Sequence, residues 1–176
     1  MTGSAGVAAA GADRRVAFAQ LVDRDLDRAY RLAGIILGNG PDAEDATHDA
    51  VVQAWRAFGG LRDASSFAPW FQRILVNVCR DRLRKRKRSQ VTELAVAGSH
   101  AGLDRFKDVD DRLVLDRAFE QLSPDQAITV VLRFHVDLSL DDVAARMGVP
   151  VGTVKSRLHS ALAKLERALT GAEVID

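Results

Sequence analysis

The sequence predicts an all-α protein built as two small helical domains joined by a flexible linker. Three observations predict it. Apolar residues recur every three or four positions, no stretch alternates with period two over a strand's length, and one internal stretch holds no period at all. At 176 residues the chain suits one compact domain or two of about 60 to 80 residues.

Residues 1–12 (MTGSAGVAAAGA) lack the basic start and long apolar stretch of a signal peptide, so a disordered tail is expected there. From Asp13, a candidate N-cap, helical spacing runs through Val16, Leu21, Leu26, Tyr30, Ala33 and Leu37 until Gly38-Asn39-Gly40-Pro41 stops it. A second helix is expected over 42–57, ended by Gly59-Gly60, and a third over 67–88 with Ser65 or Ser66 as cap. Residues 13–88 form the first domain. Residues 89–110, rich in Gly, Ser and acids and aperiodic, form a linker longer than most connections within a domain. The second domain, 111–170, carries helices over 111–121, 124–136, 140–147 and 150–169, before a short tail at 171–176. Ser123-Pro124-Asp125-Gln126 is a strong helix start: a cap, a proline at the first helical position and a Gln three residues after the cap.

Composition excludes several classes. No apolar run approaches the roughly 20 residues needed to cross a bilayer, so no membrane insertion is expected. The single cysteine, Cys79, allows no internal disulfide and suits a reducing, cytoplasmic setting. The four histidines are scattered without metal-ligand spacing, and neither a metal nor a cofactor is expected. Gly38-Asn39-Gly40 lacks the Gly-Lys-Ser/Thr of a phosphate loop, and the Asp45/Asp49 pair has no accompanying pocket, so no enzyme is expected.

Net charge is only +1, from 25 Lys+Arg against 24 Asp+Glu, but the signs are segregated. Residues 80–88 (RDRLRKRKR) hold seven bases to one acid, whereas 104–142 hold ten acids to five bases. Alternating blocks indicate separate surfaces for different partners.

The last two helices carry a helix-turn-helix pattern. Leu140, Val143, Ala144 and Met147 line one helix, Gly148 supplies the turn, and Val151, Val154, Leu158, Ala161, Leu162, Leu165 and Leu169 line the next. Its opposite face displays Thr153, Ser156, Ser160, Lys164 and Arg167, flanked by Arg157 and His159. Small hydroxyls beside long cations suit a helix that approaches base edges and grips phosphates. An αα-hairpin with a solvated polar face accounts for the same residues.

On the third helix, Arg73, Asn77, Arg80, Arg84, Lys87 and Arg88 fall within about 100° of arc, with Trp70 on the border. Serial cations fit a phosphate backbone, and an indole beside them offers a stacking surface for an unpaired base. The short polar loop from Gly59 to Ser66 is suited to cup that base. The plainer account, a solvated basic helix end with Trp70 in the core, is weakened by the absence of relieving acids at i,i+4. On the second helix Asp42, Asp45, Asp49 and Gln53 share one face with Val52 near its middle. That face repels DNA and suits a basic protein partner; acids fronting a solvated helix explain it equally well.

Three runs, DAEDATHDAVVQAWRAF (42–58), SSFAPWFQRILVNVCRDRLRKRKR (65–88) and LSPDQAITVVLRFHVDLSLDDVAARMGVPVGTVKSRLHSALAKL (122–165), resemble the extracytoplasmic-function (ECF) sigma factors of the sigma-70 family. GTVKSRLHSA is the most specific piece. The resemblance implies a cytoplasmic factor for bacterial transcription initiation, monomeric when free, that binds core RNA polymerase and promoter DNA and is held by an anti-sigma factor until a stress signal arrives. It implies sigma domain 2 over 13–88 and sigma domain 4 over 111–170. Asp42, Asp45, Asp49, Val52 and Gln53 would dock on core polymerase. Arg62, Asp63, Ser65, Ser66, Trp70, Arg73, Asn77, Arg80, Arg84, Lys87 and Arg88 would capture the minus-ten element. Thr153, Lys155, Ser156, Arg157, His159, Ser160 and Lys164 would read the minus-thirty-five element. Ala46, Thr47 and His48 depart from the Leu-Val-Gln common in the docking helix, which bears on the strength of that contact. About ten residues follow the helix-turn-helix core, so no further regulatory domain is expected. The alternative is a stand-alone helix-turn-helix regulator, which would dimerise on two half-sites and leave the stripe and the acidic helix unexplained.

Overall fold

The computed structural model describes residues 3–61, 63–93, 115 and 117–172, and every regular element among them is helical. The order is α1 (Gly3–Leu37), α2 (Gly40–Ala57), two single 3₁₀ turns at Phe58–Gly60 and Ala64–Ser66, and α3 (Phe67–Glu93). After a helical stretch at 117–120 come α4 (Pro124–Val130), a π-helical turn at Val131–His135, α5 (Leu140–Met147) and α6 (Val151–Ala172). No helix among the described residues is long and apolar enough to cross a membrane.

The helix boundaries follow local chemistry. Gly38, at φ 80°, takes a left-handed conformation that ends α1, and Asn39 then caps α2 by accepting the Asp42 amide at 2.8 Å. The expected tail differs from the structure, because α1 extends back to Gly3 and Asp13 lies inside it. The five alanines of residues 1–12 have the highest helix propensity and continue a helix already nucleated downstream. The cap before α3 is also different. Asp63, not Ser65 or Ser66, supplies the capping oxygen: it accepts the Ser65 amide at 2.9 Å and the Ser65 and Ser66 hydroxyls.

Three helices make the N-terminal unit. α1 packs on α2 and α3 through Phe18, Val22, Ala29, Leu32, Ala33, Ile36 and Leu37; of the expected line Ala33 and Leu37 are buried and Leu21 is half-buried against the core. Val16, Leu26 and Tyr30 are 58%, 37% and 44% exposed, since α1 carries two apolar lines and only one meets a partner. Ala43, Ala46, Ala50 and Ala54 bring α2 close against it. Phe18 sits edge-on to Trp55 and Phe58 at 5.2 and 5.0 Å between centroids, while Phe67 stacks on Phe71 at 5.5 Å.

In the C-terminal unit, Ser123 and Gln126 form the reciprocal capping box expected for α4. The expected helix over 124–136 changes to a π-helical turn after Val130, and Phe134 on that turn is 57% exposed. Gly148, at φ 65°, makes the left-handed turn between α5 and α6. Val143, Met147, Val154 and Ala161 are buried there as expected; Leu162 is 44% exposed instead, at the edge of the buried stripe. Helix α6 continues through residues 171 and 172, where a tail was expected.

The two units meet along α3, whose outer side lies against α4 and α5, so the buried residues form one continuous apolar cluster. Of the expected linker, residues 89–93 are the last turns of α3. Its remainder at 94–110 lies outside the described residues, as do 1–2, Arg62, 111–114, 116 and 173–176.

Candidate nucleic-acid interface and docking face

Helix α3 positions most of the candidate residues. Phe71, Leu75, Val76, Val78, Cys79 and Leu83 are buried, which fixes the rotation of the helix and therefore the direction of its cations. Burial raises the Cys79 thiol to about 12, so it packs as an apolar side chain. The cations of 80–88 then divide between two sides.

One side faces α2. Arg82 Nη2 bonds Asp49 Oδ2 at 2.6 Å, its Nη1 lies 3.6 Å from Asp45 Oδ2, and Arg86 Nη1 lies 3.8 Å from Asp42 Oδ2. The hydrogen bond that Arg82 donates to Asp49, reinforced by the attraction of the three carboxylates, raises the Arg82 pKa against the opposing effect of its burial. Arg86 also donates to the Leu37 carbonyl at the end of α1, and burial lowers its pKa. The acidic face therefore already has two guanidiniums beside it. Gln53 is exposed there and Val52 half-buried.

The other side of α3 faces the C-terminal unit. Arg80 Nε lies 3.0 Å from Asp125 Oδ1 as an ion-pair contact without hydrogen-bond alignment, and Arg84 Nη2 donates to Asp125 Oδ2 at 2.7 Å. Arg157 of α6 comes within 3.6 Å of the same carboxylate. Arg80 Nη2 donates to the Met147 carbonyl at 3.2 Å and Lys87 Nζ to the Leu122 carbonyl at 3.1 Å. Arg146 Nε donates to Gln72 Oε1 at 2.7 Å. Burial, helped by repulsion from Arg84 and Arg157, lowers the Arg80 pKa, and Asp125 opposes that shift.

Asn77 accepts from Arg80 Nη1 at 2.9 Å, and the exposed Arg73 side chain reaches Gly148, where a Cβ would stand 3.2 Å from its Nη2. Trp70 is half-buried and tilted against Phe67 at 5.7 Å, more enclosed than a free stacking surface. Lys87 and Arg88 have exposed side chains. The Ser65 hydroxyl and amide hold the Asp63 carboxyl below its ordinary value.

On α6, Lys155, Ser156 and His159 are exposed, Thr153 and Arg157 half-buried. Ser160 is exposed as expected and Lys164 half-buried; Ser160 accepts from Gln126 Nε2 of α4, and Lys164 Nζ donates to Gln126 Oε1, both at 2.9 Å. Gln126 is 9% exposed and already part of the capping box, so it ties α6 to α4. Sequence reasoning missed Arg82 and Arg86, although two cations at i,i+4 opposite acids at i,i+4 are a readable signal. It also missed Gln72, Arg146 and the pairing of Asp125, where residues distant in sequence meet and no local spacing shows it.

A cation-bearing helix beside a helix-turn-helix is the arrangement of a nucleic-acid-binding protein. Comparisons with known proteins agree. Residues 21–89 match Sigma-70 region 2, and residues 112–165 match Sigma-70, region 4. The ECF RNA polymerase sigma factor SigM of Mycobacterium tuberculosis is 37% identical over 163 residues, spanning 93% of this chain and 82% of SigM. SigW of Bacillus subtilis is 32% identical over 167 residues, spanning 87% and 89%. The sigma factor RpoE of Bartonella quintana, solved in complex with the anti-sigma factor NepR, superposes with a TM-score of 0.63 at 26% identity, covering 90% of this chain and 98% of RpoE. The chain belongs to the ECF RNA polymerase sigma factors.

Proposed function

We propose that the chain acts as a non-catalytic, cytoplasmic initiation subunit whose three charged surfaces each take one partner. The acidic face of α2 docks on core RNA polymerase through Asp42, Asp45, Asp49, Val52 and Gln53. The cationic side of α3, from Arg73 to Arg88, together with Trp70 and the loop at 62–66, captures the opened minus-ten strand. The exposed part of α6, centred on Lys155, Ser156, Arg157 and His159, enters the minus-thirty-five major groove, with Thr153 at its edge. Ser160 and Lys164 position that helix through Gln126.

The observation that carries the reading is the stripe of cations on α3 held rigidly by a buried apolar face, beside a helix of opposite charge. A stand-alone repressor needs neither. The helix-turn-helix unit alone offers few cations, and four or five phosphate contacts give modest affinity at physiological salt. Such a factor is specific only when polymerase holds both DNA-binding units on one promoter. The anti-sigma factor bound to the similar RpoE supports proposing a comparable inhibitor as a further partner.

In vitro transcription with core polymerase on a promoter library tests the reading. Promoter-dependent initiation is expected with the chain and not without it; its absence overturns the proposal. Reversing Asp45 and Asp49 to Lys should abolish co-purification with core polymerase while circular dichroism stays helical. Both carboxylates are exposed, and such surface pairs contribute only about 0.2–1 kcal/mol each.

A further inference from the structure

We infer that Arg14 of α1 is a positioning residue for minus-ten recognition: it clamps the entry of the loop that takes the extruded base. The inference rests on the proposed role of that loop and assigns it a residue from a different helix. Arg14 stands one turn before Phe18 on α1, and Phe18 is buried, which fixes the side from which Arg14 projects. The Arg14 guanidinium lies over the Trp55 ring at 5.0 Å and over the Phe58 ring at 5.9 Å, both within cation–π range. Trp55 is in the last turn of α2, and Phe58 opens the 3₁₀ turn Phe58–Gly60 that begins the loop. At Gly59 a Cβ would stand 3.3 Å from Arg14 Nη2 and 3.6 Å from its Cζ, so the guanidinium lies directly against this turn.

The loop has both feet on one aromatic cluster. Phe58 before it and Phe67 after it each sit edge-on to Phe18, at 5.0 and 6.1 Å between centroids, and to each other at 6.4 Å. Trp70 leans on Phe67 at 5.7 Å, so the cluster runs from Arg14 to the indole assigned to the opened strand. Asp63 secures the far end of the loop through the Ser65 amide. The near end is Gly59-Gly60, the residue type with the least intrinsic restraint, and Arg14 supplies the restraint that glycine lacks. A loop held in its capturing shape loses less freedom on taking a base, and apparent affinity falls with the fraction of chains that hold that shape. Arg14 itself is exposed, so its loss leaves the buried rings of Phe18 and Phe67 packed.

Full-chain variants bound to core polymerase test this on fork-junction DNA from a promoter that the unaltered holoenzyme initiates. The DNA carries either the extruded minus-ten base or an abasic residue in its place. Arg14→Ala should weaken binding of the base-bearing DNA by about two- to fivefold, the size of one exposed cation–π contact, and leave the abasic DNA unchanged. Arg14→Lys, which keeps a cation for the rings, should recover most of the loss. An unchanged affinity, or an equal loss on both DNAs, overturns the inference; the second result would make Arg14 a plain phosphate contact. Gly59→Ala keeps the cation and both rings and crowds the guanidinium away from the turn. It should weaken the base-bearing DNA alone and add nothing to Arg14→Ala. Losses that add, or no loss at all, overturn the inference, and this variant decides if Arg14→Ala loses helicity. If the unaltered holoenzyme binds base-bearing and abasic DNA alike, the reading of the loop fails. If it separates them and Arg14→Ala separates them equally well, only the role of Arg14 fails.

Discussion

Arg82 and Arg86 reach from α3 to the acidic side of α2, whereas Arg80, Arg84 and Lys87, from the same basic run, reach across to the C-terminal unit. Within each set the members stand four or three residues apart, so helix geometry alone sorts the run into two faces. The first set closes contacts inside one unit. The second closes contacts between units, against Asp125 and two backbone carbonyls. A block of like charge is therefore not one surface, and its function depends on what each face finds opposite it.

Leu83 sits between the two sets and is 7% exposed. Leu83→Ala should destabilise the protein most, by about 2–5 kcal/mol. It should also loosen both faces together. A denaturant titration that finds less than about 1 kcal/mol would show that Leu83 does not hold the two faces in register. Trp70→Ala comes next. The indole is half-buried on Phe67, so a loss of about 2 kcal/mol is expected, below the roughly 3–5 kcal/mol for a fully buried aromatic. Permanganate footprinting of the variant holoenzyme should show weakened promoter opening. Intact thermal stability with failed opening would place the indole entirely in DNA capture.

Much of the frame was legible because its signals are local. The capping box at Ser123 and Gln126, the Gly148 turn and the bounds of α5 follow from residues within a few positions of one another. The buried line of α1 was legible only at its end, at Ala33 and Leu37, since a 35-residue helix with two apolar lines is resolved by its neighbours. The candidate residues were legible as types: the cations of α3, the acids of α2 and the polar side of α6 lie on the helices expected to carry them. Their present engagement was not. Arg84 and Asp125 are 41 residues apart, and Ser160 meets Gln126 across 34 residues. No periodicity carries such information.

The strength of the two faces can be separated by double-mutant cycles. Arg82 and Asp49 are 30% and 50% exposed, so a cycle with Ala at both should give a coupling of about 0.2–1 kcal/mol that fades in high salt. Arg80 and Asp125 are 14% and 18% exposed. Their coupling should be larger and less sensitive to salt, because water and ions screen them less. Equal couplings with equal salt dependence would erase the distinction between an exposed contact within a unit and an enclosed one between units.

The smallest effect concerns the far end of the contact between the two units. Asp142 accepts from the Ser139 hydroxyl at 2.7 Å and from Arg146 Nη1 at 3.0 Å, while Arg146 Nε holds Gln72 of the N-terminal unit. The Ser139 hydroxyl, followed by the Arg146 guanidinium, lowers the Asp142 carboxyl from its ordinary value of 3.8. A carboxyl lowered by folding stabilises the folded state fully above its unfolded pKa, and that contribution is lost as pH falls through the folded value. The melting temperature of the unaltered protein should therefore exceed that of Asp142→Asn at neutral pH. The gap should narrow as pH falls below about 4. A gap independent of pH would mean that the carboxylate charge does not steady Arg146, leaving the Gln72 contact to the packing around it.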